Sequence, residues 1–190
     1  ANRIAEARPS HRESAELVIH ASLTGHLVLS TLHTNDALGA IPRLMDMGVE
    51  PFLLASTVNV VMAQRLARRI CEHCRTPTDV PPATVAAIQT EIAAIPDHHW
   101  PKGLSRQKLQ FSKGQGCQRC GHAGYHGRVA VAEVMEFTPT LQELVTTGFH
   151  PRQVAEALAK QQYITLRLDG LIQVLQGKTT LEEIYRVTKL

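Results

Sequence analysis

The chain has 190 residues, 44% hydrophobic and 19% charged, enough for one ordinary core or two small ones. Its apolar runs, such as LVLSTL and VNVVMA, are broken far short of the roughly 20 apolar residues that a membrane-crossing helix needs, and the polar start ANRIAEARPSHRES lacks the apolar stretch of a secretory signal. Twenty basic against 17 acidic residues, a formal charge of +3, is too balanced to require an anionic polymer as partner.

The first 70 residues alternate between helix and strand patterns. After Pro9 and Ser10, RESAELVIHASL carries Glu13 and Glu16 in its first turns and meets Gly25 at its end, which predicts a helix over 12–23. The apolar run from His26 to Leu32 suits a strand buried on both faces, with His33-Thr34-Asn35-Asp36 at its carboxyl end. Asn35 or Asp36 is placed to cap the next helix, DALGAIPRLMDM, which ends at Gly48 and carries Ile41, Leu44 and Met45 on one face; Pro42 either starts that helix or kinks it. Pro51 then opens a further helix, and TVNVVMA leads into QRLARRIC as a strand. Helix and strand in such succession predict an α/β layer with parallel strands, whose ligands bind outside the carboxyl ends of the strands, beside LHTND.

Residues 71–128 change character, broken by Pro77, Pro81, Pro82, Pro96 and Pro101, with PATVAAIQTEIAAI as the helical candidate. Helical periodicity returns after 137. Leu141, Leu144 and Val145 precede Gly148, Pro151 opens a helix with Val154, Ala155 and Leu158 on one face, and Gly177 closes another after Leu171, Ile172 and Leu175. Thr180 and Glu183 form a capping box ahead of a stripe of Leu181, Ile184 and Val187, so a small bundle of about four helices is expected. The expected division is a core over 1–70, an inserted metal-binding segment over 71–136 and a helical part over 137–190.

Four cysteines without an export signal argue against a disulfide scaffold. Cys71 and Cys74 form one CxxC pair, Cys117 and Cys120 another. Two residues between thiolates let one tight turn present both sulfurs to one ion, and two such turns complete a four-sulfur tetrahedral shell, so structural zinc is the leading reading. Reduced buried thiols and a redox pair are the alternatives. Gly121 fits the turn after Cys120, and the nearby Arg65, Arg68, Arg69, Arg75 and Arg119 either offset the site's charge or are solvated. His73 and His122 stand beside cysteines as substitute ligands, and His98, His99 and His150 read as solvated. His26 and His33 flank the apolar strand, with His33 at its ligand-facing end, where a histidine either responds to a charge change or satisfies backbone groups.

The run ESAELVIHASLTGHLVLSTLHTNDALGAIPRLMDMGVEPFLLAS, then AQRLARRIC, the paired cysteines, GYHGRVAVAEVM and LRLDGLIQVLQGKTTLEEIYRVT together resemble the type II secretion and type IV pilus assembly ATPase family. The resemblance runs from Arg12 almost to the end, with EVMEFTP closer to pilus assembly members. It implies the C-terminal part of a RecA-like P-loop NTPase core, α/β in class, with a four-cysteine zinc subdomain and a C-terminal helical subdomain. It also implies a cytoplasmic hexameric motor that uses ATP and Mg, works peripherally at the inner membrane and meets the platform protein of its machine. Within it TGH and LHTN match the histidine box, which puts His26 and His33 by the nucleotide or the subunit interface as candidate catalytic residues. Gln64, Arg65 and Leu66 match QRL, and Cys71, Cys74, Cys117 and Cys120 match the zinc ligands.

Two departures bear on activity. The phosphate-binding pattern GxxxxGK[ST] occurs nowhere in the 190 residues, and without its N–H cradle and lysine the β and γ phosphates have no site there. The family's acidic Walker B stretch, aligned without gaps, falls on Ala7-Arg8-Pro9-Ser10-His11; a two-residue insertion brings Glu6 and Arg8 onto the glutamate and arginine instead. These residues are therefore expected to be inactive alone, as part of an assembly ATPase or, alternatively, as a non-catalytic zinc-stabilised remnant acting as a protein-interaction module. A nucleic-acid binder is disfavoured, since 4 Phe, 3 Tyr and 1 Trp leave little for base stacking.

Overall fold

The computed structural model describes the backbone of residues 4–7 and 12–189 and the side chains of residues 13–189. Residues 8–11 and the side chain of Glu6, on which the Walker B alignment turns, lie outside the described residues.

The chain opens with β1 (Ile4–Ala7), α1 (Arg12–Leu23) and β2 (Leu27–Ser30), and β1 pairs in parallel with β2, Ile4 opposite Leu27. The helix is where the sequence predicts it; β1 is an element that the polar opening did not suggest. The expectation that β2 is buried on both faces is corrected. Leu27 and Leu29 alternate onto one face and are 51% and 56% exposed. Among the described residues this sheet has two strands and contacts α1, so nothing described covers that face.

α2 (Ala40–Asp46) follows a turn in which the Asp36 carboxylate accepts the Gly39 N–H at 2.7 Å, so Asp36 holds the turn ahead of the helix rather than capping it directly. Pro42 is its third residue, where a backbone N–H would have no partner within the helix, and it neither starts nor breaks it. Pro51 is the first residue of α3 (Pro51–Thr57), which leads into the long β3 (Val60–Ile70). β3 pairs with β6 (Tyr125–Glu136), a strand of nearly equal length, rather than extending the parallel pair. Between them lie β4 (Arg75–Thr78), α4 (Pro82–Ile92) and β5 (Phe111–Gly114), then α5 (Pro139–Thr146), α6 (Pro151–Lys160), α7 (Leu166–Leu175) and α8 (Leu181–Val187) follow β6.

By its contacts the chain forms two compact units, 1–63 with 134–163, and 64–133 with 164–190. In the first, α3 packs on α5 and on α1, and Ile41, Leu54, Met135, Leu141 and Val145 are buried. α6 packs on α5 through Val154, Ala157 and Leu158; the stripe runs i, i+3, i+4, so Ala157 takes the buried place expected of Ala155, which is exposed. In the second unit α7 packs on α8 and on α4, around Ile88, Ile92, Leu171 and Ile184. Buried Glu133 accepts the Leu166 N–H at 2.8 Å, and Asp169 accepts the Ala132 N–H at 2.9 Å, so two carboxylates fasten the start of α7 to β6. Arg167 grips Glu91 of α4 through two bonds, at 2.5 and 2.8 Å.

Candidate metal centre

The segment between the two CxxC pairs, residues 75–116, is closed at its base by β4 and β5, which pair antiparallel with Arg75 opposite Gly114. That ladder brings the Cys74 end and the Cys117 end together. Within the segment Ile88, Ile92, Ile95 and Phe111 are buried. Arg106 satisfies the carbonyls of Ile92 (3.1 Å) and Ile95 (2.8 Å) at the end of α4 and lies over the Trp100 ring.

Each pair forms a tight turn. The Cys74 N–H donates to the Cys71 carbonyl at 3.3 Å, the Cys120 N–H to the Cys117 carbonyl at 3.1 Å, and Gly121 adopts the left-handed conformation expected after Cys120, with φ 58°. The turns are tied to each other by the Cys71 N–H on the Gly124 carbonyl at 3.0 Å and the Gln115 N–H on the Cys74 carbonyl at 2.9 Å. The backbones of Gly114 and Gly124 touch here: a Cβ on Gly114 would lie 1.9 Å from the Gly124 carbonyl oxygen, backbone that cannot give way. Gly114→Ala is therefore expected to destabilise the second unit by about 3 kcal/mol, the upper range for an overpacked site. A thermal melt of the variant within a degree of wild type would contradict that close approach.

The four Sγ atoms of Cys71, Cys74, Cys117 and Cys120 lie within 4.8 Å of one another. Cys71 and Cys117 are 3.9 Å apart, Cys74 and Cys120 3.9 Å, and Cys117 and Cys120 3.7 Å. A zinc–sulfur bond of about 2.3 Å in tetrahedral geometry puts neighbouring sulfurs about 3.8 Å apart. A disulfide would need about 2.05 Å. The spacing fits four sulfurs around one ion and no bond between any of these pairs.

The surroundings favour a thiolate at Cys120 and oppose one at Cys74. The N–H groups of Cys117 (3.2 Å) and Gly124 (3.3 Å) both donate to Cys120 Sγ, and the Cys117 N–H foremost draws that thiol down to about 6. Desolvation pushes Cys74 up to about 11, so an ion binding there must displace its proton, and affinity falls as pH falls. His73 and His122 are exposed and stand outside the sulfur cluster, so neither substitutes as a ligand here. The neighbouring arginines have other partners: Arg68 pairs with Glu183, Arg69 with Glu72, and Arg75 donates to the Gly177 carbonyl.

The histidine pair is not brought together. His26 precedes β2 and His33 follows it, so the two stand at opposite ends of that strand. The Thr24 hydroxyl donates to the Ala21 carbonyl at 2.8 Å, so it accepts from His26 Nδ1 at 3.0 Å, and in the neutral ring the proton sits on Nδ1. His33 is exposed, in the irregular stretch beyond β2.

Glu183 is the residue that pattern reading misassigned. Thr180 does accept the Glu183 N–H, at 3.4 Å, but the carboxylate does not complete a capping box. It is buried and accepts from the Arg68 N–H (2.9 Å), Arg68 Nη2 (2.7 Å), Arg186 Nε (3.0 Å) and Arg186 Nη2 (2.7 Å). The arginines, Arg186 foremost, hold that carboxyl well below the ordinary carboxylate range. Its only sequence signal is a glutamate in a position where an i+3 cap also explains it.

Residues 4–186 match the family described as Type II/IV secretion system protein. The chain belongs to that family. The type IV pilus assembly ATPase PilB of Myxococcus xanthus is 41% identical over 172 residues, covering 90% of this chain and 29% of the relative. The type II secretion system protein E of Dickeya dadantii is 43% identical over 177 residues, covering 93% of this chain and 32% of the relative. The chain thus spans about a third of the length of the curated relatives it matches. Among solved structures, the Legionella pneumophila ATPase DotB matches at a TM-score of 0.59 with 16% identity, covering 97% of this chain and 38% of that one. The pilus retraction motor PilT matches at 0.60 with 17% identity, covering 97% and 39%. The fold is thus the RecA-like α/β fold of these secretion-family ATPases, carrying the cysteine cluster and followed by helices. No helix among the described residues is long and apolar enough to cross a membrane.

Proposed function

We propose that these residues are the zinc-bearing part of a cytoplasmic, hexameric ATPase that powers type IV pilus assembly or type II secretion, peripheral to the inner membrane at its platform protein. The observation that carries the reading is the cluster of four thiols at zinc-like spacing within a chain of this family. Cys71, Cys74, Cys117 and Cys120 would hold the ion, which supplies a cross-link between the two turns and no reactive position, since four sulfurs fill its shell. His26 and His33 would lie near the nucleotide or the next subunit, with ATP and Mg supplied by the complete architecture. The division into 1–70, 71–136 and 137–190 belongs to the same reading.

Two measurements test it. Elemental analysis of the protein purified without chelator is expected to give one zinc per chain; well under one would sink the metal assignment. Purified alone with Mg·ATP, the 190 residues are expected to show no turnover, because no GxxxxGK[ST] is present to cradle the phosphates. Measurable hydrolysis would overturn that and point to a phosphate site of another kind.

A further inference from the structure

Three polar residues just after α7 are almost wholly buried: Thr179 at 0%, Thr180 at 5% and Glu183 at 1% exposure. Burying polar groups costs free energy unless each is paired, so their partners tell what the segment is for. Apart from bonds within the segment itself, Arg186 to Glu183 and the Glu183 N–H to Thr180, those partners are Arg68, which precedes Cys71, and Tyr125, which follows the second turn. The Lys178 carbonyl accepts the N–H of Ile70, the residue before Cys71, at 2.8 Å. The Thr179 hydroxyl donates to the Arg68 carbonyl at 2.8 Å, and Glu183 takes the Arg68 N–H. On the other side of the same turn, Arg75, the residue after Cys74, donates to the Gly177 carbonyl at 3.3 Å. The second turn is reached through Tyr125, which follows Gly124: its hydroxyl is 2.9 Å from Thr180 Oγ1, and its ring lies under the Arg68 guanidinium.

The strap Gly177–Arg186 therefore holds the residue before the first turn, the residue after it, and the residue beyond the second. Gly124 closes the circuit by accepting the Cys71 N–H and donating to Cys120 Sγ. We infer that this C-terminal strap is the outer support of the metal centre, and that metal binding and the docking of α8 are coupled. The inference rests on the metal assignment above. Positioning groups beyond the ligands set how well sulfurs are pre-arranged, and their loss typically costs 10–100-fold in metal affinity. The coupling is reciprocal, because whatever pre-arranges the sulfurs is itself steadied by the ion. Thr179, Thr180, Tyr125 and Glu183 are positioning residues in this arrangement; none is a ligand.

The test has two arms on the full chain. Tyr125→Phe with Thr179→Val removes one hydroxyl from the strap and one from its partner beyond the second turn and leaves every cysteine in place; competition with a chromophoric chelator is expected to show zinc affinity down at least tenfold. Arg152→Ala, in an exposed pair on α6, should bind like wild type. The second arm uses no variant: with zinc stripped by chelator, amide exchange is expected to speed up in α8 and in the Cys117–Tyr125 turn while α5 and α6 keep their protection. Unchanged affinity in the double variant, exchange in α8 indifferent to zinc, or an equal loss of protection in α6 would each overturn the coupling while sparing the metal assignment. A wild-type chain that takes up no zinc overturns both, and the two failures are told apart by that first titration.

Discussion

Cys71→Ser is expected to abolish stoichiometric zinc and to lower the thermal midpoint of the second unit by about 10 °C or more. Structural zinc supplies roughly 10–16 kcal/mol of apparent binding free energy to small metal-folded domains, against a total stability of about 5–15 kcal/mol for an ordinary domain. Losing even about 3 kcal/mol of it shifts a midpoint by roughly 6–12 °C at this chain length. Cys71 is the sharpest choice because it is the buried member of the cluster, 1% exposed, so a hydroxyl there cannot trade the lost metal bond for water. Its N–H also holds the Gly124 carbonyl, so a shift of this residue passes directly to the second turn. Scanning calorimetry with metal analysis reads both effects, and chelator-treated wild type should melt close to the variant. A serine variant that keeps its zinc and its midpoint would show that Cys71 is not needed to hold the ion.

Glu183→Ala is expected to cost about 3 kcal/mol, the low end for removing one partner from a buried ion pair. The arginine side chains are 55% and 56% exposed and can turn to water, so the surface share of those pairs is small. The larger loss is the Arg68 N–H, which sits within β3 and has the Glu183 carboxylate as its acceptor; leaving such a donor unpaired costs roughly 1–3 kcal/mol. Glu183→Gln keeps an acceptor for that N–H and is expected to recover about half of the loss, separating the backbone bond from the charge. The pH dependence follows from the depressed carboxyl. Its folded value lies below the ordinary 4.5, so its contribution is fully present above about pH 5 and is lost as pH falls through the folded value. The difference in midpoint between wild type and Glu183→Ala should therefore be constant from pH 7 to pH 5 and shrink in acid. A gap that widened on acidification would mean that the carboxyl is not held ionised by its arginines.

Local signals were read well where one principle decides them. α1 ends just before Gly25, α3 begins at Pro51 and α4 at Pro82, because caps and backbone restrictions act over a few residues. The grouping of the four cysteines was legible for the same reason: CxxC spacing is a local constraint, and the fold only had to bring two such turns together. Pairing and burial were not legible. β1 lies in a polar opening and becomes a strand only by pairing with β2, while β6 carries Gly127 and Arg128 and becomes one by lying along β3. Glu183 reads as a surface cap in sequence and is buried in the structure, since nothing local to α8 reveals that Arg68 comes to meet it across more than a hundred residues.

The sequence by itself determined the family, the class of fold, the helix punctuation and the four thiols, all carried by short-range patterns. The tertiary structure alone decided which strands pair, that the exposed face of β2 is apolar, that Gly114 and Gly124 meet backbone to backbone, and that the strap after α7 fastens both cysteine turns. The physical reason is range. Propensity, capping and ligand spacing act within a turn or two of chain, whereas burial and hydrogen-bond satisfaction are settled by whichever distant segments the fold sets side by side.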